Sequence, residues 1–246
     1  MQLKQSISLL SLLVCFTSLF GQRDIPDNLP KFDKKKIHFG FSLGGGLNGF
    51  RLTQDLTKSD SLIKLEVLGQ PGFNVNVVTE LHLGPYMGIR FTPGLAFSSR
   101  ILRYTFYTGA NSPFDKVDRI VESTYLDFPL VFKYRSKRVN NFASYVTFGG
   151  RYSLDLASES NVNNLIIDQL GEIDDSGFYR LKLTRHNYHL ETGVGFDFFF
   201  EYFKFTPEFK FCYGLNSVLF QDNTEFSTPI TGLHSRIFMI CVNFEG

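Results

Sequence analysis

Ten charged residues recur at alternate positions among aromatic and aliphatic neighbours: Arg90, Asp127, Lys133, Arg135, Arg151, Asp155, Glu191, Asp197, Glu208 and Lys210. Side chains two apart in an extended chain share one face. Both signs on one face predict ion pairing inside a structure more readily than catalysis, which needs a nucleophile and base in reach of one another. Five histidines invite a metal or acid–base reading. His38, His82 and His189 fall on the same face as the charges, and His186 lies close to His189 in sequence. A zinc-type site would need further ligands from distant strands, which spacing alone does not supply. The reading taken is therefore histidines in a polar interior or loop, with no metal and no cofactor. His234-Ser235 is the one adjacent His/Ser pair near a strand end, and no nucleophile motif surrounds it. Gly44-Gly45-Gly46 lacks the Gly-Lys-Ser/Thr that a phosphate loop requires. Cys212 and Cys241 could pair or serve as small buried fillers, and the filler reading is preferred.

The elements that must position these residues are strands. Tyr125–Arg138 is the plainest: Leu126, Phe128, Leu130, Phe132 and Tyr134 alternate with Tyr125, Asp127, Pro129, Val131, Lys133 and Arg135. A period of two identifies a strand with one apolar and one polar face. The same pattern marks Lys36–Gly45, Gly72–Leu83, Met87–Ser98, Phe142–Leu156, Tyr188–Phe200, Phe203–Leu215 and Arg236–Phe244, making eight strands in all. Both faces of the last are partly apolar, so its register is the least defined.

Connections at Leu83–Tyr86, Ser136–Asn141 and Phe200–Tyr202 are short. Those at Leu47–Pro71, Ile101–Ile120, Ala157–Asn187 and Asn216–Ser235 are long and polar. Strict alternation of short and long connections predicts an all-β, eight-stranded antiparallel transmembrane β-barrel of the outer-membrane type, with short periplasmic turns and long extracellular loops. A barrel of eight strands has an interior that side chains fill, so the charges and glycines belong inside and the aromatic face meets lipid. Lipid offers nothing to a free strand edge, which makes closure obligatory. The rival is a lipocalin-like soluble barrel with the faces exchanged.

Composition agrees. Phe (28), Tyr (11) and Gly (21) are abundant, and Trp is absent, so tyrosines near strand ends (Tyr86, Tyr104, Tyr134, Tyr188, Tyr202 and Tyr213) are expected to serve as interfacial anchors. A net charge of +1 with no basic stripe argues against a nucleic-acid partner. Lys4 followed by the apolar run Ile7–Phe20 and the polar Gly21-Gln22-Arg23-Asp24 reads as a cleaved signal peptide, so the protein is expected to be exported. The domain reading is 1–21 signal peptide, 22–35 a polar periplasmic segment with no core of its own, and 36–246 barrel.

Three stretches resemble the PorT family, called SprT in gliding Bacteroidetes. Asn28-Leu29-Pro30-Lys31-Phe32-Asp33 with His38-Phe39-Gly40-Phe41 and Leu43-Gly44 is similar to the start of those proteins. Leu126–Tyr134 resembles a Pro-Leu strand common to many Bacteroidetes outer-membrane barrels, and Arg135-Ser136-Lys137-Arg138 with Asn140-Asn141 is more particular to PorT. Pro207-Glu208-Phe209-Lys210-Phe211 with Tyr213-Gly214-Leu215 adds a third match. Asp127 stands where the family is expected to have Glu, and Phe244 is followed by Glu245-Gly246 instead of ending the chain. The resemblance implies an outer-membrane, non-enzymatic accessory of type IX protein secretion, also supporting gliding motility where that occurs. Its partners would be outer-membrane lipid and other type IX components. It supplies no catalytic residues. A small structural or adhesive barrel unrelated to secretion is the alternative.

Overall fold

The computed structural model describes residues 26–58, 62–107, 115–158, 183–221 and 226–246. The expected signal peptide and most of the expected 157–187 loop lie outside them. The strands are β1 (Ile37–Gln54), β2 (Leu62–His82), β3 (Met87–Phe91), β4 (Gly94–Phe106), β5 (Asp115–Arg135), β6 (Phe142–Asp155), β7 (His186–Phe199), β8 (Lys204–Gly214) and β9 (Ile230–Glu245). Each pairs antiparallel with its neighbours, and β9 returns to β1 from Gly40↔Glu245 to Gln54↔Ile230, closing the sheet into a barrel.

Nine segments fill eight positions around the ring, as expected. β3 and β4 lie end to end, and both pair with β2 on one side and β5 on the other. The break between them falls at Thr92-Pro93. Pro93 has no N–H for the ladder, and Pro129 on the facing strand has none either. Neighbouring bonds from Thr92 N to Pro129 O (3.2 Å) and from Val77 N to Pro93 O (2.9 Å) carry the chain across the gap. The alternation of side chains is preserved through it, with Arg90, Thr92 and Ser98 buried and Phe91, Leu95 and Phe97 exposed.

The facing is that of a membrane barrel. Leu130, Phe132 and Tyr134 are exposed on the outside, whereas Asp127, Lys133 and Arg135 are buried within. At the periplasmic end of the outer wall, phenylalanines form the girdle. Phe41 stacks on Phe244 at 5.0 Å, and Phe205 and Phe203 lie against the same ring. Tyr104, expected at an interface, instead points inward, fully buried, and donates its hydroxyl to Phe226 O.

The long connections are shorter than their composition suggested, because the strands run on. β1 continues to Gln54, β2 starts at Leu62, β4 reaches Phe106 and β5 starts at Asp115. β2 and β5 each have 21 residues, whereas β8 has 11. A tilted strand needs about 9–11 residues to cross the apolar layer. The long strands therefore project about as far again beyond it.

In that projecting part the two faces exchange character. Phe50, Leu65, Leu102, Tyr104, Val121 and Leu233 pack together inside the wall. Outside, Glu66 lies opposite Arg103 and Arg103 opposite Asp118 across three adjacent strands. Arg103 grips Asp118 through two contacts of 2.7 Å, and Lys64 meets Glu66 at 2.6 Å. A wall with charge outside and hydrocarbon inside is a wall standing in water. This exchange marks the outer limit of the membrane.

The boundary has a measurable consequence. Leu130→Arg, near the middle of the lipid-facing band, is expected to destabilise the barrel by about 2–4 kcal/mol. Thr105→Arg, on the outer face of the projecting wall, is expected to cost less than about 0.5 kcal/mol, as at an ordinary surface position. Guanidinium unfolding in lipid vesicles checks both. Equal costs would mean that the boundary is misplaced.

Candidate functional site

Inside the membrane-spanning wall, seven strand segments contribute to one continuous charged belt. Its centre is Arg90 on β3, fully buried, which reaches Glu80 (2.9 Å from Nε), Glu208 (3.1 Å) and Glu245 (2.9 Å). From Glu80 the chain of contacts runs to Lys133 (3.2 Å), Asp197 (3.2 Å), Lys204 (3.9 Å) and Glu245 (2.7 Å), which returns to Arg90. Cations and carboxylates thus alternate around a closed circuit. The Lys204–Glu245 contact is a close ion pair whose angles do not suit a hydrogen bond. From Glu208 a branch passes through Lys210 (3.8 Å) and Glu191 (3.0 Å) to Arg151 and Asp127 (3.1 Å). Thr147 and Asn243 donate to Glu208, and Thr206 donates to Asp197.

Tyr145 supports the belt from β6. Its hydroxyl accepts from Arg90 at 3.2 Å, and Lys133 Nζ sits 4.0 Å above its ring. Gly195 makes room for that ring: a Cβ there would strike the tyrosine itself. The required glycine is a matter of close approach and not of an unusual backbone angle.

Eight of the ten charged residues singled out from spacing join this belt, and two do not. Arg135 lies below it and pairs with Asp33 at 2.8 Å. Asp155 is buried at the other end, where it accepts the Ala157 N–H at 3.0 Å and has no ion-pair partner among the described residues. Spacing missed Glu80, Lys204 and Glu245 as members. Glu80 and Lys204 were legible on their strands' polar faces, whereas Glu245 read as a tail after the last aromatic. It is buried at 1 % exposure and closes the circuit.

Both ends of the belt are sealed. Residues 26–35, the described part of the polar segment 22–35 expected to have no core of its own, fold across the periplasmic mouth. A 3-10 turn at Phe32–Lys34 inserts Phe32, which is 3 % exposed. Its ring stacks on His38 at 3.8 Å and meets Phe199 edge-on at 5.8 Å, and Lys204 Nζ lies 4.7 Å above it. A single aromatic in a polar segment was enough to provide this plug. The β5–β6 turn and the end of β7 hold the segment in place: Asn28 N donates to Asn141 Oδ1 (2.8 Å), Asn28 Nδ2 to Phe199 O (3.0 Å), and Arg138 meets Asp33 (3.5 Å). At the other end the apolar cluster closes the barrel, with Arg100 over the Phe50 ring (4.7 Å) at its lower margin and Arg119 over Phe226 (4.5 Å) within it. Beside Asp127 a cavity of about 20 Å³ has room for one water molecule.

The other chemistry-bearing residues do not assemble. His38 and His82 meet at 3.1 Å, with Glu80 bonded to His82, but no set of three or more His, Cys, Asp or Glu among the described residues is arranged to hold a metal. His189 faces inward, and His186 faces outward to Tyr152 (2.7 Å). His234 also lies on the outside, against Tyr213, whereas Ser235 is buried inside. Adjacent residues on opposite faces cannot act as nucleophile and base. Cys212 and Cys241 are both buried and free.

A closed antiparallel barrel with charge within and aromatics without is a transmembrane β-barrel. The chain belongs to the outer membrane protein beta-barrel domain family, whose model matches residues 20–219, and its location is the outer membrane. No curated protein matches it. Among solved structures it is similar to the outer membrane protein OprG from Pseudomonas aeruginosa, at 15 % identity over 85 % of this chain and 92 % of that one, with a TM-score of 0.44. Neisserial surface protein A matches at 10 % identity over 83 % and 95 % (TM-score 0.37). The outer membrane protease OmpT from Escherichia coli matches at 9 % over 85 % and 95 % (TM-score 0.36).

Breaking a desolvated pair leaves its partner charge uncompensated, at about 3–5 kcal/mol. Glu245→Ala is therefore expected to destabilise the barrel by that amount, and Asp155→Ala by only about 1–2 kcal/mol, the scale of one hydrogen bond. Loss of the boiling-dependent gel shift at lower denaturant measures both, and a larger effect at Asp155 would contradict the circuit. Phe32→Ala is expected to free the strap and speed trypsin cleavage at Lys34–Lys36 by about tenfold or more, since local opening governs proteolysis. Unchanged cleavage would show that the plug does not hold the segment.

Proposed function

We propose that this protein is a non-enzymatic outer-membrane barrel of the PorT type that serves type IX secretion as an accessory component. The observation that carries this reading is a contact. The two stretches most particular to the resemblance, Asn28–Asp33 and Arg135–Asn141, lie more than a hundred residues apart in sequence. In the fold they bind one another, through Asn28 with Asn141 and Asp33 with Arg135 and Arg138. A residue pattern shared with a family is stronger support when its separate parts build one local device. That device presents a shaped periplasmic face, where secretion partners on the inner side of the membrane would meet it.

The interior supports a scaffold role. Paired charges fill it, Phe32 closes one end and the apolar cluster the other, so the described residues leave no conduit for solutes through the barrel. What remains for recognition is the two ends: the strapped periplasmic mouth and the wall that projects into the medium. A structural or adhesive barrel would use the second end alone.

Deleting the gene is expected to abolish export of cargo bearing the C-terminal sorting domain, with export restored by the wild-type chain. The purified protein is expected to show no steady conductance in planar bilayers. Normal export in the deletion strain, with altered surface attachment, would replace this reading with the adhesive one. A stable open conductance would overturn the scaffold role.

A further inference from the structure

The outer wall at the membrane limit is not electrostatically uniform. On the β2–β4–β5 side the cation Arg103 has its own carboxylate partner, Asp118, with Glu66 directly opposite. On the β8–β9–β1 side, at the top of the 11-residue β8, two arginines point outward with none. Arg51 is exposed and, among the described residues, donates only to the Tyr213 hydroxyl, at 3.0 Å. Arg236 is exposed and lies over the Phe211 ring at 5.8 Å. No carboxylate among the described residues is in ion-pair reach of either.

The register places these cations on adjacent strands. Arg51 is opposite His234, while Arg236 is opposite Gly49 on one side and Tyr213 on the other. Gly49 lies one outward position below Arg51 on β1 and directly across from Arg236, and a Cβ there would meet only Arg236 O at 3.8 Å and Gly69 Cα at 3.9 Å. Gly49 and Gly69 thus leave a bare stretch of wall beside the two guanidinium groups. One step down the same wall, exposed Leu47 and Phe238 face each other across β1 and β9. The surface is therefore bipartite, with paired cations above a hydrocarbon contact.

We propose that Arg51 and Arg236 bind the phosphate of a phosphorylated lipid headgroup in the outer leaflet, with an acyl chain lying on Leu47 and Phe238. Guanidinium forks suit phosphate oxygens, and their strength grows at the partly dehydrated headgroup level. A free phosphate ion would use the arginines but leave the apolar half of the surface without a role. This inference rests on the outer-membrane location and is independent of any part in secretion.

The test uses the full chain refolded in a neutral detergent, with lipid retention read by native mass spectrometry. The probes are a monophosphorylated lipid A and the same glycolipid with its phosphate removed. The phosphorylated form is expected to be retained about tenfold better, a difference within reach of two charge-assisted contacts. The double variant Arg51→Gln/Arg236→Gln should lose that preference, Arg51→Lys/Arg236→Lys should keep part of it, and Arg103→Gln should leave it intact. Both arginines lie outside the interior network, and the boiling-dependent gel shift verifies folding of each variant. Equal retention of the two glycolipids by the wild type would overturn the proposal without any variant. So would full displacement by inorganic phosphate at equal concentration, which would assign the arginines to a free ion.

Discussion

Burying Arg90 at the centre of a narrow barrel constrains nearly everything around it. A guanidinium removed from water on all sides must be matched by carboxylates, and those carboxylates by further cations. Glu80, Glu208 and Glu245 meet the first demand from three different strands. Lys133, Lys204 and Lys210 meet the second, and the circuit closes only when β2, β3, β5, β7, β8 and β9 are all in register. A shift of one residue in any of these strands would send its charge into lipid and its phenylalanines into the belt. The charges therefore specify register more than they add stability, and that specificity is the use for which buried ionic groups have the best support.

Sealing follows from the same constraint. Ion pairs are strong in a dry interior, and entering water would weaken them. Phe32 below and the apolar cluster above keep the belt dry. Arg100 lies over the Phe50 ring at the upper seam, where cation–π contact stands in for hydration. The periplasmic seal is built from a short segment tied by hydrogen bonds, so it is the less expensive of the two to open. The extracellular seal is an apolar core shared by many strands. Of the two ends, the periplasmic one is thus the easier to rearrange.

Much of this was readable from period-two alternation. Leu126–Tyr134 showed which side of β5 faces lipid, and the eight ring positions followed from eight such runs. The limits had physical causes. Leu47–Pro71 and Ile101–Ile120 read as loops because their alternation has the opposite sense, with charge facing out and Leu102 or Tyr104 facing in. A rule that equates the apolar face with lipid fails once the strand leaves the membrane. Glu245 was misjudged because nothing local distinguishes a carboxylate at a chain end from one that closes a circuit 155 residues away with Arg90. Phe32 shows the same limit: one aromatic gives no periodicity, so its burial depends on a mouth that only the folded barrel provides.

The exchange of faces also bears on what such a wall can do. In the membrane-spanning part, the exterior is committed to lipid and the interior to the belt, leaving neither free for a partner. Above the boundary, an internal apolar core lets the outer face carry Lys64, Glu66, Arg103 and Asp118 without cost to packing. Such a surface can vary in charge while the fold is held from inside. A protein built this way separates its anchoring from its recognition along the strand axis. Contact from above or below leaves both commitments of the middle intact, whereas contact at the middle must first displace lipid.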